Sequence, residues 1–82
     1  MSPQARFSLT TALGGLTTAA MQRVIRQANV GAENEKIAQL YFVERRPQVD
    51  VAAELYLGRA TVQRRIPEIL NQMEKTSKRI LH

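Results

Sequence analysis

Residues 48–66 read QVDVAAELYLGRATVQRRI, and the spacing of the apolar side chains in this stretch decides the fold that we predict. Val51 and Leu55 stand four residues apart, which places them on one face of a helix. Val62 and Ile66 repeat the same spacing further along the chain. The stretch therefore predicts two short helices that each bury one face, the first from about Gln48 to Leu55, with a tight connection between them.

The connection between these two helices, Tyr56-Leu57-Gly58, is short enough for a helix-turn-helix. Ala52 is the small residue that such a unit needs where the second helix crosses the first, and Leu57 is an aliphatic residue that can be buried after the turn. The second helix, predicted at 59–66, then leaves its polar and basic residues free to meet a partner. Its outward residues are Arg59, Ala60, Gln63 and Arg64, with Arg65 towards the flank.

Helical spacing also recurs in the N-terminal third of the chain, and no run alternates strictly with a period of two residues. We therefore predict an all-α fold, a small helical bundle that contains the helix-turn-helix. Apolar residues spaced through 21–28 predict an amphipathic helix, which Thr17 or Thr18 can cap and Gly31 can end in a left-handed conformation. Residues 7–13 before it would form a short helix or an ordered arm.

Two prolines set the limits of the remaining predicted helices. A central core helix is predicted at 32–45, ended by Pro47 because the residue before a proline avoids the helical region. Pro67 interrupts the apolar spacing of the last third, and a proline deep inside a helix costs about 3 kcal/mol. We therefore predict one short helix at 59–66 and a new or sharply kinked helix from Pro67 to about Lys78.

Charge is distributed unevenly along the 82 residues, whose net charge is +5. Residues 59–82 carry six Lys and Arg against two Asp and Glu, a net +4. Residues 33–58 carry three against five, a net −2, and residues 1–32 carry three arginines and no acid. The basic last third favours a polyanionic partner, of which nucleic acid is the first candidate.

Composition argues against an enzyme, a metal centre and a membrane protein. The chain has no Cys, and its single His is the last residue, so it lacks the residues for a thiolate or His-based metal site and for a Ser-His-Asp triad. No run approaches the roughly 20 apolar residues of a membrane span. We expect no catalytic residues, no cofactor, no metal and no membrane partner, and a cytoplasmic, nucleoid-associated protein.

The run VAAELYLGRATVQRRI at 51–66 resembles the helix-turn-helix of sigma-factor region-four-like DNA-binding regulators of bacteria and phages. The preceding IAQLYFVERR is similar to the upstream helix of that family, and the resemblance spans about 36–70. The matching residues are Gln48, Val51, Ala52, Leu55, Leu57, Gly58, Arg59, Thr61, Val62, Arg64 and Arg65. The departures are Pro47 in place of a capping Ser or Thr, Gly58 where Ser often caps, and Pro67, which shortens the recognition helix. Tyr56 stands where the turn often has Gly, so we predict that Tyr56 takes a left-handed conformation or that the turn differs.

The resemblance implies that the helix at 59–66 enters the major groove of DNA with its N-terminal residues at the base edges. Arg59 and Arg64 would pair with guanine and Gln63 with adenine, and Ala60 completes the base-reading surface. The backbone phosphates would be held from the starts of both helices and by the surrounding cations. These phosphate-binding residues are Gln48, Thr61, Arg65, Arg45, Arg46, Lys75, Lys78 and Arg79.

The predicted function is a sequence-specific DNA-binding transcriptional regulator from a bacterium, a phage or another mobile element. Residues 32–82 would form the DNA-binding domain, and residues 1–31 an arm and helix that could join two chains into a homodimer on double-stranded DNA. An alternative is a protein-interaction adaptor that docks on RNA polymerase or another regulator without reading DNA. In that case the acidic middle, with Glu44, Asp50 and Glu54, would face the partner.

Overall fold

Four α-helices follow one another in residues 15–80, the part of the chain that the structure, a computed structural model, describes. They are α1 (Thr18–Ala28), α2 (Ala32–Ala38), α3 (Gln48–Leu55) and α4 (Arg59–Ile80), and a π-helical segment, Gln39–Val43, continues α2. No strand occurs in these residues, which confirms the predicted all-α class and the small helical bundle. The expected arm at 7–13 lies outside the described residues.

One hydrophobic cluster joins all four helices, and α4 contacts each of the other three. The spacing of the apolar residues explains this arrangement, because each helix turns one apolar face inward. The buried hydrophobic residues are Met21, Val24, Ile25, Ile37, Ala38, Phe42, Val51, Ala52, Val62, Ile66, Ile69 and Met73. The long last helix is therefore the element around which the others are arranged.

The first helix begins at a threonine cap and ends at an asparagine. The Thr17 hydroxyl accepts a hydrogen bond from the Ala20 amide at 3.1 Å, which confirms the predicted cap. Asn29 adopts the left-handed conformation (φ 53°) that ends α1, so the prediction that Gly31 ends this helix is wrong. Asparagine tolerates this conformation because its short polar side chain can hydrogen-bond locally. Gly31 instead precedes α2, with a φ of 99° that a side chain would strain.

The second helix ends earlier than predicted and for a different reason. Its last turns widen into the π-helical segment, where the Glu44 amide donates to the Gln39 carbonyl at 3.0 Å. Arg45 then turns left-handed at φ 59°, and the Arg46 amide donates to the Leu40 carbonyl at 3.0 Å. The helical segment therefore ends at Val43, two residues before the predicted end at about Arg45, and Pro47 lies beyond it and precedes α3.

The third helix and its turn match the prediction closely. The helix spans Gln48–Leu55, and Tyr56 follows it in the left-handed conformation at φ 57° and ψ 40°. The Tyr56 amide donates to the Ala53 carbonyl at 3.3 Å, and the Leu57 amide donates to the Ala52 carbonyl at 2.9 Å. This pair of bonds is a Schellman motif, which satisfies the last carbonyls of the helix and turns the chain towards α4.

The last helix runs as one element from Arg59 to Ile80, so of the two predicted alternatives a new helix that starts at Pro67 is wrong. Pro67 lies inside the 22 residues of α4, on its exposed side. The proline removes one hydrogen bond, to the Gln63 carbonyl, and Gln63 is exposed, so water can hydrate that oxygen. The buried residues Ile66 and Ile69 flank the proline on the opposite side, and their burial holds the two halves in one helix.

Candidate functional site

The first two turns of α4 present the four predicted base-reading residues together. These residues, all exposed, are Arg59, Ala60, Gln63 and Arg64. Val62 and Ile66, on the opposite side of the same turns, are completely buried. Burial of Val62 and Ile66 fixes the rotation of the helix about its axis. Packing in the core therefore directs the four opposite side chains towards solvent, in addition to their own polarity.

The same outward side continues along the rest of α4. We call this surface the outer face of α4; its members recur every three or four residues and are all exposed. They are Ala60, Arg64, Pro67, Asn71, Lys75 and Lys78. Sequence reasoning did not combine these residues into one surface because it placed a new or sharply kinked helix at Pro67, although the spacing of three and four residues runs through the proline without a shift.

Cations near the C-terminal end of α4 extend this basic surface. Lys75, Lys78 and Arg79 are exposed, and within residues 15–80 no ion pair involves any of them. Lys78 and Arg79 lie in the last turn, where cations are favourable for the helix itself because this turn carries the negative end of the helix dipole. Glu68, also exposed, is an acid that interrupts the basic surface one turn after Arg64.

Two of the predicted phosphate-binding arginines already have partners within the chain. Arg65 forms an ion pair with Glu33 and donates to the Asn34 side-chain oxygen at 3.3 Å, which links α4 to α2. Arg46 pairs with Glu54 at 3.2 Å. A phosphate would have to compete with these carboxylates, so both arginines are weaker candidates than Lys75 or Lys78.

The other predicted phosphate-binding residues lie at the starts of the last two helices and in the loop before them. Gln48 and Thr61 are half-buried in the first turns of α3 and α4, and Arg45 is exposed. The first amides of a helix have no partner within it, and they can donate to an anion. No side chain caps the start of α3, because Pro47 precedes it.

Tyr56 is an exposed residue to which sequence reasoning assigned no role. Its side chain is 95% exposed at the turn between α3 and α4. The available sequence signal was the tyrosine itself, because the regulators that this motif resembles often have glycine at this turn. Of the two predicted alternatives, a left-handed Tyr56 or a different turn, the structure confirms the left-handed conformation, whereas the exposure of Tyr56 becomes apparent only in the structure.

Within residues 15–80, no group of three or more His, Cys, Asp or Glu side chains is placed to hold a metal ion. None of the helices in this range combines the length and the apolar character needed to cross a membrane.

Comparison with known proteins identifies no relative of this chain. No family model, no curated protein and no solved structure matches it. The resemblance of residues 51–66 to sigma-factor region-four-like regulators therefore stays a prediction that depends on the residues of the motif.

Proposed function

We propose that the protein is a sequence-specific DNA-binding regulator that inserts the N-terminal half of α4 into the major groove. One observation carries this proposal: four outward side chains on the first two turns of α4 are backed by fully buried anchors. A helix so presented, joined to the preceding helix by a short turn, supports a role as a recognition helix. The sequence predicts insertion of the helix at 59–66, and this segment forms the first part of the longer α4.

The outward side chains have the chemistry to read bases. The guanidinium groups of Arg59 and Arg64 can each donate two hydrogen bonds to guanine O6 and N7, and the Gln63 amide can pair with adenine N6 and N7. Ala60 offers an apolar contact for the thymine methyl group. Within the described residues neither arginine has an ion-pair partner, so no internal bond must break before they meet DNA.

Helix length separates base reading from phosphate binding along α4. With a rise of about 1.5 Å per residue, Lys75 lies about 16 Å beyond Arg64 along the helix axis. The major groove is about 12 Å wide, so a helix whose first turns lie in the groove carries Lys75 past its edge. We therefore assign Lys75, Lys78 and Arg79 to backbone phosphates and not to bases.

Dimerisation would raise the affinity of such a small reading unit. Two chains on DNA would contact half-sites about 34–36 Å apart, one turn of the double helix. The N-terminal residues that we predicted as a dimerisation arm lie outside the described part of the chain. In this proposal the protein acts as a homodimer on the bacterial nucleoid or on phage DNA.

The adaptor that docks on RNA polymerase or another regulator remains the second candidate, favoured by exposed apolar residues beside acidic ones. Val49 is 50% exposed in the first turn of α3, next to Asp50, and Tyr56 follows the end of the same helix near Glu54. Recovery of a stoichiometric protein partner from cells, combined with absent DNA binding, would favour the adaptor.

Sequence-specific DNA binding can be tested in two steps. Duplexes that bind the protein are first selected from a randomised pool, and fluorescence anisotropy then compares binding to the enriched duplex and to a scrambled one. We expect enrichment of one motif and at least a 10³-fold tighter binding to it than to the scrambled duplex at physiological salt. Equal binding to both duplexes, or no saturation at micromolar protein, would reject sequence-specific recognition.

Arg64→Ala and Lys75→Ala are expected to affect DNA binding differently. Arg64→Ala should cost about 1–3 kcal/mol on the enriched duplex and much less on the scrambled one, because a base contact is lost. Lys75→Ala should weaken both duplexes alike and lower the slope of log K against log salt by about one unit. Anisotropy titrations at several salt concentrations measure both effects.

Glu68→Gln and Arg23→Ala are the matched controls for these two substitutions. Neutralising the exposed Glu68, beside the outer face of α4, should strengthen binding to both duplexes, since it removes repulsion from the phosphates. Arg23, an exposed arginine of α1, should matter little. If Arg64→Ala and Arg23→Ala had equal effects, general charge and not the recognition helix would account for binding.

A further inference from the structure

The conformation of Tyr56 is unfavourable for a tyrosine. It occupies the position of the Schellman motif where glycine is preferred, because a side chain at positive φ crowds the backbone. The turn itself does not need an aromatic residue, since its two hydrogen bonds are made by backbone atoms. Glycine would form the same turn without this strain.

The side chain of Tyr56 does not compensate for this strain by burial or by a hydrogen bond among residues 15–80. The ring is 95% exposed, so it buries almost no apolar area, and its hydroxyl forms no hydrogen bond with the described residues. A strained and exposed aromatic residue contributes little to folding. Strained residues that the fold does not require cluster at functional sites, which makes the turn a candidate contact.

The position of Tyr56 decides what it would contact. It lies three residues before Arg59, at the end of α4 that enters the groove in the proposed function. The turn lies outside the inserted helix, where the sugar–phosphate backbone and not the base edges would be the nearest part of DNA. Tyrosine hydroxyls are among the donors that proteins use towards phosphate oxygens.

We propose that the Tyr56 hydroxyl donates a hydrogen bond to a DNA phosphate beside the N-terminus of α4. The contact rests on the proposed function and deepens it by adding a residue that fixes the register of the recognition helix. It is sequence-independent, since a phosphate carries no base information. The protein therefore keeps an unfavourable residue at the turn because the bound state needs its hydroxyl.

Tyr56→Gly and Tyr56→Phe together test this contact. Tyr56→Gly relieves the left-handed strain but adds freedom to the unfolded chain, and we expect the melting temperature to rise by about 2–6 °C. Its affinity for a labelled 30-bp duplex of mixed sequence should fall about tenfold, as for a lost hydrogen bond to a charged group. Tyr56→Phe keeps ring and backbone, so it should lose the same affinity without the rise in melting temperature.

The two substitutions separate this inference from the proposed function. If the wild-type protein bound neither the mixed-sequence nor the enriched duplex, the proposed function itself would fail. If the wild-type protein bound and Tyr56→Gly bound equally well, only the phosphate contact would be wrong, and the exposed ring would become a candidate contact for a protein partner. Full affinity in Tyr56→Phe with a loss in Tyr56→Gly would also overturn the hydroxyl contact, in favour of the ring.

Discussion

Replacing Ile66 by alanine is expected to destabilise the protein by about 2–5 kcal/mol, a large share of what a domain of this size has. Ile66 is completely buried in the single core cluster, on the helix that contacts all the others. Truncation removes apolar burial and leaves a cavity that the rigid surroundings fill only in part. Urea denaturation followed by far-UV circular dichroism measures the change as a lower midpoint.

Ile66→Val and Asn71→Ala are the graded controls for this substitution. Ile66→Val removes one methylene group at the same site and should cost about 0.5–1.5 kcal/mol. Asn71 is exposed on the outer face of α4, so its replacement should stay within about 0.5 kcal/mol of the wild type. A cost below about 1 kcal/mol for Ile66→Ala would contradict the position of this side chain in the core.

Replacing Pro67 by alanine is expected to stabilise the protein by as much as about 3 kcal/mol, because alanine restores a helical hydrogen bond and removes the clash with the preceding turn. Whether Pro67→Ala raises or lowers the free energy of unfolding distinguishes a continuous α4 from a new helix that starts at Pro67. In the continuous α4, Pro67 is an interior residue and alanine is favourable. At the first position of a new helix, as the sequence alone predicts, proline is well suited and alanine would be neutral or unfavourable.

The same denaturation experiment measures the Pro67→Ala effect, with Asn71→Ala as the comparison for alanine at an exposed site of this helix. A midpoint that falls in Pro67→Ala would show that the chain needs the proline, either as a helix start or as a bend that aligns Ile69 with the core. In that case the continuous helix would need revision. Since Pro67 is exposed, packing changes at the substituted side chain itself are expected to be small.

How much of the fold could be predicted depended on whether the deciding interaction was local. The bounds of α3, Gln48–Leu55, were predicted because apolar spacing and flanking turn residues are local signals. The cap at Thr17 was predicted for the same reason. The ends of α1 and α2 were missed because left-handed Asn29 and Arg45 lack the usual glycine, and only their backbone conformations reveal them.

In the candidate site, too, local features could be predicted from the sequence and long-range contacts could not. The outward residues at the start of α4 followed from the positions of Val62 and Ile66, which any helix over this stretch would bury. The pairing of Arg65 with Glu33 could not be predicted, because these residues are 32 positions apart and meet only when α4 packs against α2. That contact weakens Arg65 as a phosphate ligand, although its charge alone had suggested the role.

By itself, the sequence determined that the chain is helical, where α3 and the start of α4 lie, and which side chains there point outward. These properties depend on residue type and on spacing over one or two helical turns. Tertiary structure decided that α4 runs unbroken through Pro67, because burial of Ile66 and Ile69 outweighs the cost of one lost hydrogen bond. It also decided that Arg64 and Lys75 share one outer face, because the sequence alone predicts a new or sharply kinked helix between them.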